Sequence, residues 1–519
     1  MLDRDVRPRR VKAPMLVLLL PCVAGIALAA EKNDSPLVEA ARTQDQKTVR
    51  ALLNQKVDVN APSSDGSTGL LWLAHWNDVD TAQLLLAAGA DANAANDFGV
   101  TPLSEACINS SGALVRMLLK SGAKPNTPIA TGETPLMICA KTGSVDGVRM
   151  LVEYGAAVNA AEPSQNQTAL MWAAAERHPD VAKALIDAHA DLKAHTKQGF
   201  TAMHFAARVG DLDTVKLLLA AGVDVNILTQ ASEAPAPRAE NNGAPPGGGR
   251  GGGGSTAGYT PLLVAVMRSQ MDVALYLLDH GADPNIGAAG FTPLHWASTT
   301  WESFASNPVY GFVDPMSGIP DRQVKLRIVK ALLAHGADVN ARMTKKQPSF
   351  ATGYTDSVGA TPFLLAASAD DLEMMKILLD AGADPKIRTA TNASAIMAAT
   401  GLNRGIGENF IDEPQAKATV DFLLKLGLDP KGETTFGENA LFGPAYHGWN
   451  TLLAQLIDLG VNVNAVSKAA VTPFLAANGQ GDRLGGVLYN KEGADLLLKR
   501  GANPKLGRPC EAQNKCRAE

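Results

Sequence analysis

Aromatic residues are scarce in this 519-residue sequence, at 5% of all positions. β-Sandwiches and barrels are rich in aromatic and β-branched side chains. Their shortage, beside abundant Ala and Leu, favours small, closely stacked helices. A basic excess is missing too: the net charge is −5, and −8 without the first 30 residues, which carry +3. An acidic body has no electrostatic footprint for a phosphate backbone, so nucleic acid is excluded as a partner. No apolar run reaches the ~20 residues that a membrane-spanning helix takes. Catalytic signatures are also absent: there is no His-Glu-x-x-His, Gly-x-Ser-x-Gly, Cys-x-x-Cys or calcium-loop pattern. The sequence therefore predicts no enzyme, no metal site and no cofactor.

The chain opens with a basic segment holding Arg4, Arg7, Arg9, Arg10 and Lys12. An apolar stretch runs from Met15 to Ala30, broken by Pro21, and Ala27-Leu28-Ala29 supplies small residues at a cleavage position. Basic, then apolar, then small is the order of a secretory leader. Residues 1–30 are expected to be a signal peptide cut after Ala29 or Ala30. The mature chain would then be periplasmic or secreted, with no membrane span.

Beyond the leader the sequence repeats. Thr-Pro-Leu recurs at Thr101, Thr134, Thr260 and Thr292, with looser copies at Ser35, Thr68, Thr168, Thr201, Thr361, Ser394, Asn439 and Thr472. Successive spacings are 33, 33, 33, 34, 33, 59, 32, 69, 33, 45 and 33 residues, so the three long ones are the same unit carrying insertions. About 21 residues after most anchors comes Gly-Ala-Asp-x-Asn or a near copy, as at Gly89–Asn93, Gly281–Asn285 and Gly336–Asn340. Each unit implies two helices. Thr caps the first, and Pro fits its first position, where no N–H partner is needed. Leu and Ala three residues apart form its buried stripe. The second helix has its own apolar spacing, such as Val215, Leu218 and Leu219. A glycine such as Gly222 or Gly281 ends it by taking positive φ, and Asp and Asn turn the chain into the next unit.

With Thr292-Pro293-Leu294-His295-Trp296-Ala297 this pattern resembles the ankyrin-repeat family, and His204 and His295 occupy that family's histidine position. The resemblance covers residues 31–504 and is loosest in the units beginning at Ser394 and Asn439. It implies an all-α solenoid of about twelve helix–turn–helix repeats with β-turn fingers, and a role in binding other proteins. The histidines that recur with the period read as structural.

Three insertions interrupt the repeat. Residues 229–257 are rich in Pro, Gly and Ser with almost no apolar side chains, and are expected to be disordered. Residues 302–321 carry Phe304, Tyr310, Phe312 and Met316, which either pack down on the solenoid or present a site. A third insertion covers 343–357. The first unit has a polar second helix, as a capping repeat requires. Residues 505–519 form a polar tail in which Cys510 and Cys516 are placed to close a small loop in an oxidising compartment. Cys107 and Cys139 fall on first helices of neighbouring units. Helix axes about 8–10 Å apart put them beyond easy disulfide reach, so they read as buried thiols.

In the family, partners contact the finger turns and the exposed side of the first helices. Counting one residue before each anchor gives Phe200, Tyr259 and Phe291, a prospective aromatic ladder across three units. Counting seven and eight after it gives Trp76, Arg208, Met267, Arg268 and Tyr446. With Tyr310 from the second insertion, these nine are the candidate contacts, being of the types enriched at hot spots. Trp72, Trp172 and Trp296, four after their anchors, are expected in the core. The function implied is a protein-binding scaffold of the envelope or the secreted fraction, probing another protein as a monomer. The alternatives are an exported effector engaging a host protein, and a ligand or enzymatic site built from the inserted loops.

Overall fold

The computed structural model describes residues 35–230, 257–299, 321–346, 357–402, 411–479 and 489–507. The leader, most of the Gly/Pro-rich insertion, Tyr310, and the tail with Cys510 and Cys516 lie outside the described residues. The described residues form twenty-four helices and no strand, only two isolated bridges. The helices alternate between an inner row, such as Gly69–His75, Pro102–Ile108, Pro135–Lys141 and Ala169–Ala175, and an outer row, such as Val79–Ala87 and Gly112–Lys120. At most junctions inner helices stack on inner and outer on outer, and each inner helix packs on the outer helix of its own unit.

Most anchor threonines act as the sequence predicts, with Thr168 an exception that makes no side-chain cap bond. Thr68, Thr101, Thr134, Thr260, Thr292, Thr361 and Thr472 each accept a hydrogen bond from the backbone N–H three residues on. Proline opens seven of the inner helices, at Pro36, Pro102, Pro135, Pro261, Pro293, Pro362 and Pro473. The core is one continuous seam of Leu, Ala, Val and Met between the rows. In the unit beginning at Asn439 no threonine caps the helix; the Asn439 side chain accepts from Leu441 N–H and donates to Asn462 O. Its helix Phe442–His447 crosses the preceding unit so closely that a Cβ on Gly443 would sit 2.0 Å from Thr400 O. Only glycine fits there.

Two expectations are corrected. Thr229, the first residue of the Gly/Pro-rich insertion, is buried and belongs to a finger, where its backbone N–H donates to Tyr259 O and its hydroxyl accepts from Tyr259 N–H. Cys107 and Cys139 are not separate thiols but are joined in a disulfide, with Cα atoms 4.5 Å apart. Axis separation was the wrong measure, because facing Cα atoms of two helices that touch through alanines lie much closer than their axes.

The Asn of Gly-Ala-Asp-x-Asn ties each unit to the next. Asn285 donates from Nδ2 to Gly336 O (2.9 Å) and accepts at Oδ1 from Asp338 N–H (2.7 Å). Asn60, Asn93, Asn126, Asn226, Asn340 and Asn464 make the same pair of bonds, and Asn159 makes the second of them. Lysine replaces this asparagine at Lys193, Lys386 and Lys431. At the first of these junctions a cleft of about 580 Å³ opens between the turns, lined by Asp191, Lys193, Gly222 and Asp224.

These clamps generate a pair of opposite predictions. Lys193→Asn restores two hydrogen bonds and should raise stability by about 1 kcal/mol, whereas Asn285→Ala should lower it by about 1–2 kcal/mol. Denaturant unfolding of the two variants beside the parent checks both. Equal midpoints in all three would show that the clamp contributes nothing.

Candidate interaction face

The last turns of the inner helices form one edge of the solenoid, and their carbonyls are free of helical partners. A side chain from the following unit satisfies many of them. Trp76 Nε1 donates to Arg42 O (3.1 Å), Asn109 Nδ2 to Ala74 O and His75 O (3.0 and 2.8 Å), and Thr142 Oγ1 to Cys107 O (2.7 Å). His178 bonds Lys141 O, Gln270 bonds Arg208 O and His447 bonds Gly401 O. The residue eight after the anchor has this structural duty at Trp76, Asn109, Thr142 and His447, and the residue ten after it takes the duty over at His178 and Gln270.

Trp76 is 42% exposed and Ile108 49% exposed. His75 lies between the rings of Trp72 and Trp76, at centroid distances of 5.6 and 4.8 Å, and its Nδ1 sits 3.2 Å from Glu105 Oε2. The Lys141 ammonium lies 4.3 Å from the Trp172 ring centre and 3.7 Å from Glu133. Arg208 stacks its guanidinium 4.7 Å from the centre of Phe205; burial lowers its pKa and the Glu176 charge opposes that. Lys141 pairs with Glu133 and His75 hydrogen-bonds Glu105, which leaves Trp76 and Ile108 as the exposed apolar centre of this face with a polar rim, the arrangement of a binding patch. Phe98, at 65%, is exposed on the finger of the unit that carries Ile108. Sequence counting passed over Phe98. Other units carry Asp65, Thr131, Gln165 and Gln198 at that position, and only Phe436 repeats the large aromatic, so such a side chain there was a readable signal.

The aromatic ladder is corrected. Tyr259 and Phe291 are 5% and 2% exposed, Met267 is 5% exposed, and Phe200 is half-buried. The residue before an N-cap packs against the fourth helical residue as a hydrophobic staple. Phe291 accordingly stacks on Trp296 (5.8 Å) and Phe200 tilts against Phe205 (6.2 Å). Burial also pushes the Tyr259 phenol up to about 12. Of the other candidates, Arg208, Arg268 and Tyr446 are half-exposed. Trp296 is fully buried, but Trp72 and Trp172 are only partly covered and join the rim of the face.

Lys325, which follows the second insertion in the chain, is a buried cation whose pKa burial lowers to about 8. Its Nζ donates to Thr299 O (2.8 Å), so it caps an inner helix end as the neutral side chains do elsewhere. Arg322 pairs with Asp371 and Glu373 in the adjoining cleft. No group of three metal-ligating side chains occurs among the described residues. No helix among them is long and apolar enough to cross a membrane.

Models of the ankyrin repeat match residues 11–96, 70–162 and 159–229 as arrays, and 257–288, 289–344 and 358–390 as single repeats. The chain belongs to the ankyrin-repeat family. Ankyrin arrays generally serve as protein-interaction scaffolds. The chain is 27% identical over 278 residues to the E3 ubiquitin-protein ligase KEG of Arabidopsis thaliana, covering 47% of this chain and 15% of the ligase. It is 31% identical over 154 residues to the probable 26S proteasome regulatory subunit p28 of Saccharomyces cerevisiae, covering 29% of this chain and 63% of that subunit. The human ASB11 ankyrin repeat domain is 28% identical, with 38% of this chain and 87% of that domain covered and a TM-score of 0.35. This ankyrin array thus spans only part of each curated relative, and the ligase match lies within a small fraction of that enzyme.

The repeat histidines have a structural role. Thr201 N–H donates to His204 Nδ1, which places the ring proton on Nε2, where it donates to Tyr259 O (3.0 Å). His295 repeats this with Thr292 N–H and Ala341 O. Burial lowers both pKa values to about 4, so both rings are neutral in the folded chain. The unfolded value is near 6.5. The stability they contribute is therefore complete above about pH 6.5 and lost as pH falls toward 4. Denaturant midpoints should hold level from pH 8 to 7, then drop by roughly 3 kcal/mol per histidine across that window. A double His204→Asn, His295→Asn protein should have a much flatter profile there; an unchanged profile would contradict the assignment.

Proposed function

We propose that this ankyrin array binds another protein through the inner face of its amino-terminal half, centred on Trp76 and Ile108. The observation that carries this reading is the exposure of those two side chains on a face where Lys141 pairs with Glu133 and His75 hydrogen-bonds Glu105. Phe98 on the adjacent finger and the cations Lys141 and Arg208 extend the patch, and Arg268 and Tyr446 continue the same row. Stacking does not need the exposed surface of Trp76; its Nε1 bond uses only one edge of the ring. Large aromatics with apolar neighbours and a polar rim are the composition of an interface hot spot.

We further propose that binding takes place outside the cytoplasm. The basic, apolar and small residues up to Ala29 support export, and so does the disulfide, a bond that persists in oxidising compartments. In this reading the binding surface and not chemistry is the function.

Two measurements test the proposal. Trp76→Ala should reduce affinity for the captured protein by at least about 2 kcal/mol, roughly 30-fold, while unfolding shifts by less than about 1 kcal/mol. Phe291→Ala should do the reverse, losing about 3 kcal/mol of stability with affinity kept. A Trp76→Ala protein that binds like the parent would move the interface elsewhere. Mass spectrometry of the mature amino terminus should find Ala30 or Glu31 first; an intact Met1 in the cytosol would sink the export proposal.

A further inference from the structure

We propose that Cys107–Cys139 is an oxidative modification site that makes the binding face dependent on an oxidising compartment. This rests on the inner-face and export readings above, and it adds a covalent requirement to them.

The two cysteines occupy packing positions that elsewhere hold alanine. Ala106, Ala173, Ala206 and Ala265 stand at the position of Cys139, and Ala74, Ala140, Ala174 and Ala207 at that of Cys107. Those alanines let successive inner helices touch. Here the Cα atoms are 4.5 Å apart, and both cysteines are wholly buried. The neighbouring outer helix is adapted to the sulfur. Gly147 lies where Thr81, Leu114, Val181, Thr214 and Val273 stand in five other units, and only the last unit repeats the glycine, at Gly493. A Cβ at Gly147 would come 2.6 Å from Cys139 Sγ and 2.7 Å from Ser144 Oγ. A glycine inside a helix is unfavourable by about 1 kcal/mol relative to alanine, and here it supplies the space that the larger side chain needs.

The site lies directly under the proposed interface. Cys107 precedes the exposed Ile108, and Thr142, next to Lys141, donates its hydroxyl to Cys107 O at 2.7 Å. Without the bond, two thiols held this close overlap. The inner helices of the third and fourth units must then move apart, carrying Ile108 away from Lys141. Closing the bond converts two thiols to a disulfide with loss of two protons and two electrons. A carrier disulfide, of a protein or a small molecule, accepts the electrons and becomes a dithiol through a mixed-disulfide intermediate. Because both sulfurs are buried in the stack, the exchange takes place before the third and fourth units close on each other.

The test compares three proteins: the exported chain, the chain lacking residues 1–30 produced in a reducing cytosol, and an exported Cys107→Ala, Cys139→Ala double variant. Alkylation under denaturing conditions, followed by peptide mapping, should show Cys107 linked to Cys139 in the first and both alkylated in the second. The reduced protein should melt roughly 5–10 °C lower, with weaker Trp76-dependent capture of the partner. The double variant restores the alanine packing of the other units, so its melting and capture should not respond to a membrane-permeant reductant. Free thiols at both positions in the exported protein would overturn the proposal. So would a double variant as sensitive to reductant as the parent, since the sensitivity would then arise elsewhere. A linked pair with no Trp76-dependent partner would contradict the binding reading and leave the cross-link standing.

Discussion

Each unit of this chain has an apolar face that nothing within the unit can cover. Leu70, Leu73, Leu103 and Leu136 are buried only because the next pair of helices lies against them. Nearest-neighbour burial is therefore the constraint on which the rest depends, and stability accumulates along the array through its junctions. That constraint explains the alanines between inner helices, the threonine caps that start most inner helices at the same height, and the asparagine clamps between successive turns. It also explains why the surface away from the seam is at liberty to vary. The array changes Trp76 to Asn109 to Thr142 at one repeat position, and each of the three still bonds a carbonyl of the unit before it.

Junctions differ in how firmly they are tied. The one between the third and fourth units carries an asparagine clamp and a disulfide, whereas those after Lys193, Lys386 and Lys431 lack the clamp. The exposed patch of Trp76, Phe98 and Ile108 lies in the more heavily tied part of the array. A binding surface assembled from side chains of several units needs fixed spacing between those units, because a partner pays for ordering whatever is loose.

Much of this was legible in the sequence because repetition averages out local ambiguity. The 33-residue spacing and the Thr-Pro-Leu anchors predict the helix pairs and most of the caps and glycine turns; Ser35 and Thr168 make no side-chain cap bond, and His189 takes the positive φ of a missing glycine. The misreadings came from treating positions singly. Phe200, Tyr259 and Phe291 precede N-cap threonines, and staple geometry sends such side chains onto the fourth helical residue, not into solvent. Cys107 and Cys139 were placed by helix-axis distance, yet their positions are those where alanine elsewhere marks backbone contact. Gly147, at a position that holds a branched or larger residue in most other units, was a readable sign that something beside it needed room. Which face carries an exposed patch was less legible, because half-exposed positions such as Arg208 and Tyr446 look the same in sequence as Ile108.

The claim that the inner edge of the amino-terminal half is the interface is tested most directly by where the native protein touches its partner in intact cells. A photoreactive amino acid can be placed singly at Trp76, Ile108 or Arg208 on the inner face, and at Arg116, Arg149 or Lys216, exposed on outer helices. On illumination, adducts of one common partner should form from the inner positions and not from the outer ones. Adducts arising from the outer helices alone, or equally from both rows, would contradict the account.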